Sequence, residues 1–211
     1  MTLTSPQYTD HRAPAPQPTR AMVRARRWPQ QAAAEPTRPD IAWDLIARAD
    51  AADRRWELPP ATTVSGRTCS PYELLVSANT QVLRRIVGVY RWPGLSLVGQ
   101  TGAEAALRLA LHATDADHDH GFVRTLLRLI TDAAEHGEAT WAQWAHLQDR
   151  VSVLDGRPQQ YGTQYRLDAP LLEPELHPVI APEQLTERRL AVGLPALTAP
   201  APPPALPHPE T

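Results

Sequence analysis

Proline is the residue whose placement most constrains how this chain can fold. Of the 23 prolines, seven lie in residues 1–40, eleven in residues 169–211 and only five between these segments. Proline fixes φ and lacks the backbone donor that helices and sheets need. We therefore expect the folded part in the middle, as one helical domain over 40–197. Residues 1–39 and the Pro-rich residues 198–211 are predicted to be disordered tails.

Apolar residues in the middle of the chain recur with the spacing of an α-helix. Five longer stretches show this spacing, and they begin near Asp40, Ser70, Thr101, Gly121 and Thr140. A shorter stretch covers 182–192, and extended strand character is confined to 161–167. Because the connections are short, the helices should pack as antiparallel neighbours. We therefore expect an all-α fold, a single bundle of about five to six helices.

Local signals predict where several of these helices begin and end. Asp40 can cap the first helix, which is expected to end near Leu58. Ser70 followed by Pro71 starts the second helix, because proline is favoured in a first turn. Gly137 can end the fourth helix in a left-handed conformation.

Charge, cysteine content and hydropathy exclude several classes of protein. A net charge of -2 argues against a nucleic-acid binder, because such proteins are usually strongly basic. The lone Cys69 leaves no internal disulfide and no multi-cysteine metal site. No apolar run approaches the roughly 18 residues that a membrane-spanning helix needs. All 21 basic residues are arginines, a bias typical of GC-rich genomes, so we expect a bacterial, cytoplasmic protein without nucleic-acid or membrane partners.

The richest polar stretch lies where the fifth predicted helix ends. Asp149 and Arg150 are followed by 156–164, which holds charged and amide groups. Because adjacent helix residues point about 100° apart, Asp149 and Arg150 need separate partners. A buried carboxylate indicates either an ion-pair network, with Asp50 and Arg54 as candidate members, or a site with a functional pKa.

Three further polar side chains are candidates for ligand binding. Tyr161 and Gln164 lie in a Tyr-Gly-Thr-Gln segment whose phenol, hydroxyl and amide groups can orient a small molecule. The same segment is equally sensible as a turn that follows Gly156. Asn79 interrupts the apolar face of the second helix, where a buried amide needs a partner, either a ligand or another helix.

His112 is the candidate acid or base. With Asp115 at i, i+3 it could share a metal ion, or Asp115 could orient the imidazole for general-base chemistry. The alternative is a solvated acidic loop, with His112 at the edge of the core. Because 117–120 has no known ligand spacing, no metal ligands are assigned and no cofactor is expected.

The segment 92–99 has one property of a phosphate loop, since Gly and Ser precede a helix N-terminus that attracts anions. It lacks both the lysine and the preceding strand of such loops. We therefore interpret it as a packed linker, with Trp92 in the core.

Several of these segments together resemble a known family. They are 92–99 (Trp-Pro-Gly-Leu-Ser-Leu-Val-Gly), His112-Ala113, Asp149-Arg150-Val151, Gly156-Arg157-Pro158-Gln159 and 161–164 (Tyr-Gly-Thr-Gln). In order and spacing they are similar to a bacterial family catalogued only as a domain of unknown function, over about Asp40 to Leu197. The resemblance implies a shared fold and a shared polar site, and it implies no reaction. The chain departs from the family pattern at two places. The loop after His112 is longer, and Val123 stands where a glutamine is usual. Both departures affect the segment that follows His112.

Two functions fit these residues. In the first, a small-molecule pocket contains His112 and Asp149 as candidate catalytic residues for acid–base chemistry of the hydrolase or lyase type. Its candidate substrate-binding residues are Arg150, Tyr161, Gln164 and Asn79. In the alternative, the same groups are structural and the chain is a non-catalytic protein-interaction module with a protein partner. Convergence on an open cavity would favour the pocket, and complete mutual pairing would favour the module.

Overall fold

Six α-helices make up most of the chain that the computed structural model describes, which is residues 35–54, 58, 62–64, 67–113, 120–166 and 175–197. The helices are α1 (Pro39–Asp53), α2 (Pro71–Tyr90), α3 (Leu95–His112), α4 (Gly121–Glu135), α5 (Trp141–Leu154) and α6 (Leu185–Ala191). The predicted all-α class is thereby confirmed. The predicted tails, apart from 35–39, lie outside the described residues. Among the described residues, no helix combines the length and the hydropathy that crossing a bilayer requires.

Two short antiparallel strand pairs accompany the helices. They are β1 (Thr62–Val64) with β2 (Arg67–Cys69), and β3 (Tyr165–Arg166) with β4 (Glu175–Leu176). The β1–β2 pair is absent from the sequence prediction, although the sequence there contains Ser-Gly, a dipeptide typical of turns, between short runs with β-branched residues. The β3–β4 pair occupies only part of the stretch predicted to be extended.

α3 is the central helix, because it contacts α1, α2, α4 and α5. Its buried face is rich in alanine and lets α1 approach closely, so that a Cβ added at Gly102 would lie 3.2 Å from the Ala42 Cβ. Large apolar side chains of the surrounding helices fill the remaining space. Those that are fully buried include Leu45, Leu83, Leu126, Ile130, Leu147 and Trp144. Each contributes on the order of 2 kcal/mol through the burial of apolar surface.

α1 and α2 run antiparallel, as two contacts at opposite ends show. At the start of α1, the Arg38 guanidinium lies over the Tyr90 ring, 5.0 Å from its centroid. Further along α1, the Arg48 side chain donates to the Asn79 side-chain oxygen of α2 at 3.3 Å. The predicted antiparallel packing of neighbours therefore holds for this pair.

The boundaries of α1 differ from the prediction at both ends. The helix begins at Pro39, and the Asp40 carboxylate is not a cap but accepts from the Arg38 guanidinium at 2.6 and 2.9 Å. Proline is favoured in a first turn because its missing N–H would have no helical partner there. The helix ends at Asp53, before the predicted Leu58, and the last buried residue on its apolar face is Ala52.

α3 extends over Leu95–His112, and its continuous part begins after Gly99, close to the predicted start near Thr101. Gly99 interrupts it with a φ of 71°, a left-handed conformation that glycine adopts at little cost. The first turn is held by Glu138, whose carboxylate accepts from the Ser96 backbone N–H (2.8 Å) and hydroxyl (2.5 Å). Donors at this helix N-terminus are therefore engaged by the protein itself. Trp92, which precedes the helix, is buried, as expected of a packed linker.

Candidate functional site

Asp149 is fully buried on α5, and its carboxylate is saturated with hydrogen bonds from a single loop. It accepts from the backbone N–H groups of Gln160 (2.8 Å), Tyr161 (3.1 Å to each oxygen) and Thr163 (3.1 Å). The Thr163 hydroxyl donates at 3.0 Å. Among the described residues Asp149 makes no ion pair, and the candidate partner Asp50 instead pairs with Arg108 at 3.0 Å.

Two opposing effects act on the pKa of Asp149. Burial raises the pKa above its ordinary value, because a charged carboxylate is disfavoured away from water. The hydrogen bonds from Gln160, Tyr161 and Thr163 oppose this shift by stabilising the charged form. Since the oxygens of Asp149 already accept from the loop, the geometry favours the turn alternative over a proton-transfer role.

Gln159 locks the same loop through its side-chain amide, and it is also fully buried. Its nitrogen donates to the carbonyls of Gln164 and His177, both at 2.9 Å, and its oxygen accepts from the N–H groups of Thr163 (2.8 Å) and Gln164 (2.9 Å). All four hydrogen-bonding positions of the amide are therefore in use. We call residues 159–164 the Asp149 loop from here on.

Two arginines of α6 hold the carbonyl groups of the Asp149 loop. Arg189 is buried and donates to the carbonyls of Tyr161 (2.5 Å) and Gly162 (3.2 Å). Arg188 donates to the Gln160 carbonyl at 2.9 Å. The loop is thus fixed from two sides, its N–H groups by α5 and its carbonyls by α6.

The sequence analysis does not select Arg188 or Arg189 as site residues. The sequence nevertheless contains one signal for Arg189. Leu185, Arg189 and Val192 are spaced i, i+4, i+7, which places an arginine on the apolar side of a helix. A charged residue at such a position needs a buried partner.

Tyr161 and Gln164 are both part of the packing around the Asp149 loop. The Tyr161 ring is buried edge-on against Trp144, with 5.8 Å between centroids. Burial, together with the nearby Asp149 charge, raises the pKa of Tyr161 to about 12. The Gln164 amide donates to the His146 carbonyl at 3.3 Å and to the Thr163 hydroxyl at 3.2 Å.

Asn79 lies in a different part of the molecule, at the contact between α1 and α2. It is buried, and its oxygen accepts from Arg48 at 3.3 Å. This is the helix–helix bond that stood as the alternative to ligand binding.

A second polar cluster forms where the end of α3 approaches the start of α2. His112 is exposed, and its Nδ1 lies 3.3 Å from the Tyr72 hydroxyl, with the two rings edge-to-face. Arg150 on α5 is close enough to the Tyr72 phenol for that group to raise its pKa, although burial lowers the pKa more strongly. The Arg150 Nε is enclosed and has no hydrogen-bond partner among the described residues. Tyr72, which the sequence interpretation omits, thus links two of the predicted site residues.

The predicted site residues therefore separate into three groups. Asp149 binds the loop to which Tyr161 and Gln164 belong, His112 and Arg150 lie near Tyr72, and Asn79 joins α1 to α2. Side chains outside these groups line two clefts of the described surface, one of about 260 Å³ between α1 and α2 and one of about 220 Å³ beside the start of α3.

Metal binding by His112 and Asp115, which the sequence analysis leaves open, is not tested by the structure. Asp115 lies outside the described residues. Within the described ranges, no three His, Cys, Asp or Glu side chains come together in a way that could hold a metal ion.

Comparison with known proteins gives a family and no activity. No curated protein and no solved structure matches the chain. One family model does match, and it covers residues 39–200, which includes the Asp149 loop, both of its arginines and the Tyr72–His112–Arg150 cluster. The chain belongs to this family, described as a family of unknown function (DUF6624).

Proposed function

We propose that this protein binds a small anionic molecule where Tyr72, His112 and Arg150 meet, and that His112 acts on it as an acid or base. The observation that carries the proposal is the enclosed Nε of Arg150, which has no partner among the described residues. A buried polar atom without a partner costs roughly 1 to 3 kcal/mol. A carboxylate or phosphate that accepts from Arg150 would recover this energy, because both match the planar donor geometry of a guanidinium.

His112 supports the catalytic part of the proposal. Its imidazole is exposed to solvent, and the Tyr72 hydroxyl orients it through Nδ1. Histidine changes charge near neutral pH and can therefore donate or accept a proton there. Hydrolase or lyase chemistry on an anionic substrate is the reaction class that these groups fit.

Asp149 has a positioning role in this proposal. It directly precedes Arg150 on α5, and the hydrogen bonds that it accepts fix the rotation of α5 about its axis. The direction in which Arg150 points follows from that rotation, since adjacent helix residues are about 100° apart.

Native mass spectrometry of the purified full-length chain tests the proposal. We expect the wild-type protein to carry a discrete mass above that of the chain, and Arg150→Met to lose it. Arg128→Met is the matched control, because Arg128 is exposed on α4 and should leave the extra mass in place. A native mass equal to the bare chain or a simple oligomer would contradict a tightly bound anion.

The second candidate is a non-catalytic protein-interaction module. It is favoured by the mutual pairing of Asp149, Gln159 and Arg189 with the loop, since groups paired so completely are structural. A protein partner that co-purifies in place of a small molecule would select this candidate.

A further inference from the structure

A small cleft lies between the N-terminal parts of α3 and α5, and we call it the α3–α5 cleft. It measures about 220 Å³, and its described lining contains two carboxylates, Glu104 and Glu138, and no basic residue. Leu95 and Ala103 form its apolar part. Pockets that hold drug-sized molecules begin at roughly 300 Å³, so the size of this cleft suits one or two side chains.

The two carboxylates of the α3–α5 cleft have only neutral partners within the described ranges. Glu104 is exposed and accepts from the Gln100 amide at 3.0 Å. Glu138 accepts from the backbone N–H and the hydroxyl of Ser96. Neither makes an ion pair with a described residue. Because a carboxylate has about four hydrogen-bonding positions, both can accept further donors, and a cationic side chain fits them best.

The described part of the chain begins next to this cleft. Thr37 donates to the Ser96 carbonyl at 3.1 Å through its backbone N–H and again at 3.1 Å through its hydroxyl. Ser96 is also the residue that binds the Glu138 carboxylate. The chain that precedes Glu35 therefore joins the described fold beside one of the two carboxylates.

A cluster of basic residues with a tryptophan lies a short distance earlier in the sequence, outside the described residues. It consists of Arg24, Arg26, Arg27 and Trp28, and Trp28 is seven residues before Glu35. A chain spans at most roughly 3.5 Å per residue, so this connection can cover up to about 24 Å. The cluster is therefore within reach of the α3–α5 cleft.

We propose that residues 24–28 of this chain bind in the α3–α5 cleft of the same molecule. Guanidinium groups of the segment pair with Glu104 and Glu138, and Trp28 covers the apolar part of the cleft. Arginine suits this position because its planar fork can bind a carboxylate through two donors at once. The short connection holds the segment at an effective concentration on the order of millimolar, so a few contacts are sufficient.

Limited trypsin digestion of the full chain, followed by mass spectrometry of the fragments, tests the proposal. Trypsin cleaves after arginine, and the bond after Arg12 is the reference within the same chain. We expect Glu104→Gln to raise cleavage within 24–28, relative to this reference, by roughly fivefold, because a charge-assisted pair is lost. Glu183→Gln is the matched control, because Glu183 is an exposed glutamate before α6 and should leave the ratio unchanged.

A ¹⁹F spectrum of the chain labelled with 5-fluorotryptophan examines the same contact from the side of the segment. Trp28→Phe assigns the resonance of Trp28. We expect this resonance to move in Glu104→Gln and to keep its position in Glu183→Gln. Circular dichroism checks that each variant is folded.

Binding within one molecule also predicts that protein concentration changes neither the cleavage ratio nor the Trp28 resonance. A cleavage ratio and a Trp28 resonance that Glu104→Gln leaves unchanged would overturn the proposal. Protection of 24–28 that rises with protein concentration would overturn it as well, because the segment would then bind the cleft of a second copy.

Discussion

At the scale of single residues, the Asp149 carboxylate is the group on which the loop beyond α5 depends. It accepts from three backbone N–H groups and one hydroxyl, and of these the Thr163 N–H also donates to the Gln159 oxygen. Asp149→Asn places an amide nitrogen against these donors. We expect the free energy of unfolding to fall by roughly 2 to 4 kcal/mol in urea denaturation. Asp132→Asn, which alters an exposed pair with Arg91, should cost at most about 1 kcal/mol.

Tyr161 predicts how stability depends on alkaline pH. Its pKa in the folded protein is about 12 against an ordinary value of 10, because burial disfavours the phenolate. Between these pH values the unfolded chain binds fewer protons than the folded one, so the free energy of unfolding falls as pH rises, by roughly 3 kcal/mol in total. Urea denaturation from pH 9.5 upward measures this slope. Tyr161→Phe should flatten the dependence of the free energy of unfolding on pH. The control Tyr165→Phe, at an exposed residue, should leave this dependence unchanged. Equal slopes in wild type and Tyr161→Phe would show that another group titrates.

Asp149 and the segment that contains its donors could be selected from the sequence, whereas the hydrogen bonds between them and the contacts of α6 could not. A carboxylate among apolar helix residues is a local signal. Its donors lie 11 to 14 residues away, and the Arg189 contacts to the same loop span 27 and 28 residues. Such contacts depend on how α6 packs, which no local pattern specifies. For the same reason the pairing of Asn79 with Arg48 was open until the packing of α1 on α2 was known.

At the scale of elements, helix ends with nearby capping residues are predictable and those with distant ones are not. Ser70 and Thr140 each form a capping box with the residue three positions later, and α2 and α5 begin where predicted. The first turn of α3, 95–98, precedes the predicted start near Thr101, and Glu138, which caps this turn, lies 42 residues from Ser96.

Two glycines test this description of the helix ends. A Cβ at Gly94 would lie 2.6 Å from the Glu138 Cβ and 2.7 Å from its carbonyl oxygen, so Gly94→Ala must displace the residue that caps α3. We expect the free energy of unfolding of this variant to fall by roughly 1 to 3 kcal/mol. Gly88, inside α2, has open space around it, and Gly88→Ala should raise the free energy of unfolding by about 0.5 to 1 kcal/mol. Thermal unfolding of both variants measures the difference, and a Gly94→Ala protein as stable as wild type would contradict the tight contact.

At the scale of the whole molecule, the polar groups separate into two regions with different roles. The Asp149 loop joins α5 to α6 and is internally satisfied, whereas the cluster of Tyr72, His112 and Arg150 leaves a guanidinium nitrogen without a partner among the described residues. The helical class and the candidate residues follow from periodicity and residue type. Their division into a structural loop and a proposed anion site depends on tertiary packing, and so does the part played by Tyr72.

The most direct test of the anion site is the ¹⁵N Nε resonance of Arg150 while the full chain is titrated with inorganic phosphate. We expect a saturable shift of this resonance, accompanied by a shift of the His112 imidazole signals, and no saturable shift for the exposed Arg128. An Arg150 resonance that stays unchanged, or one that moves only as Arg128 does, would contradict an anion site at Tyr72, His112 and Arg150.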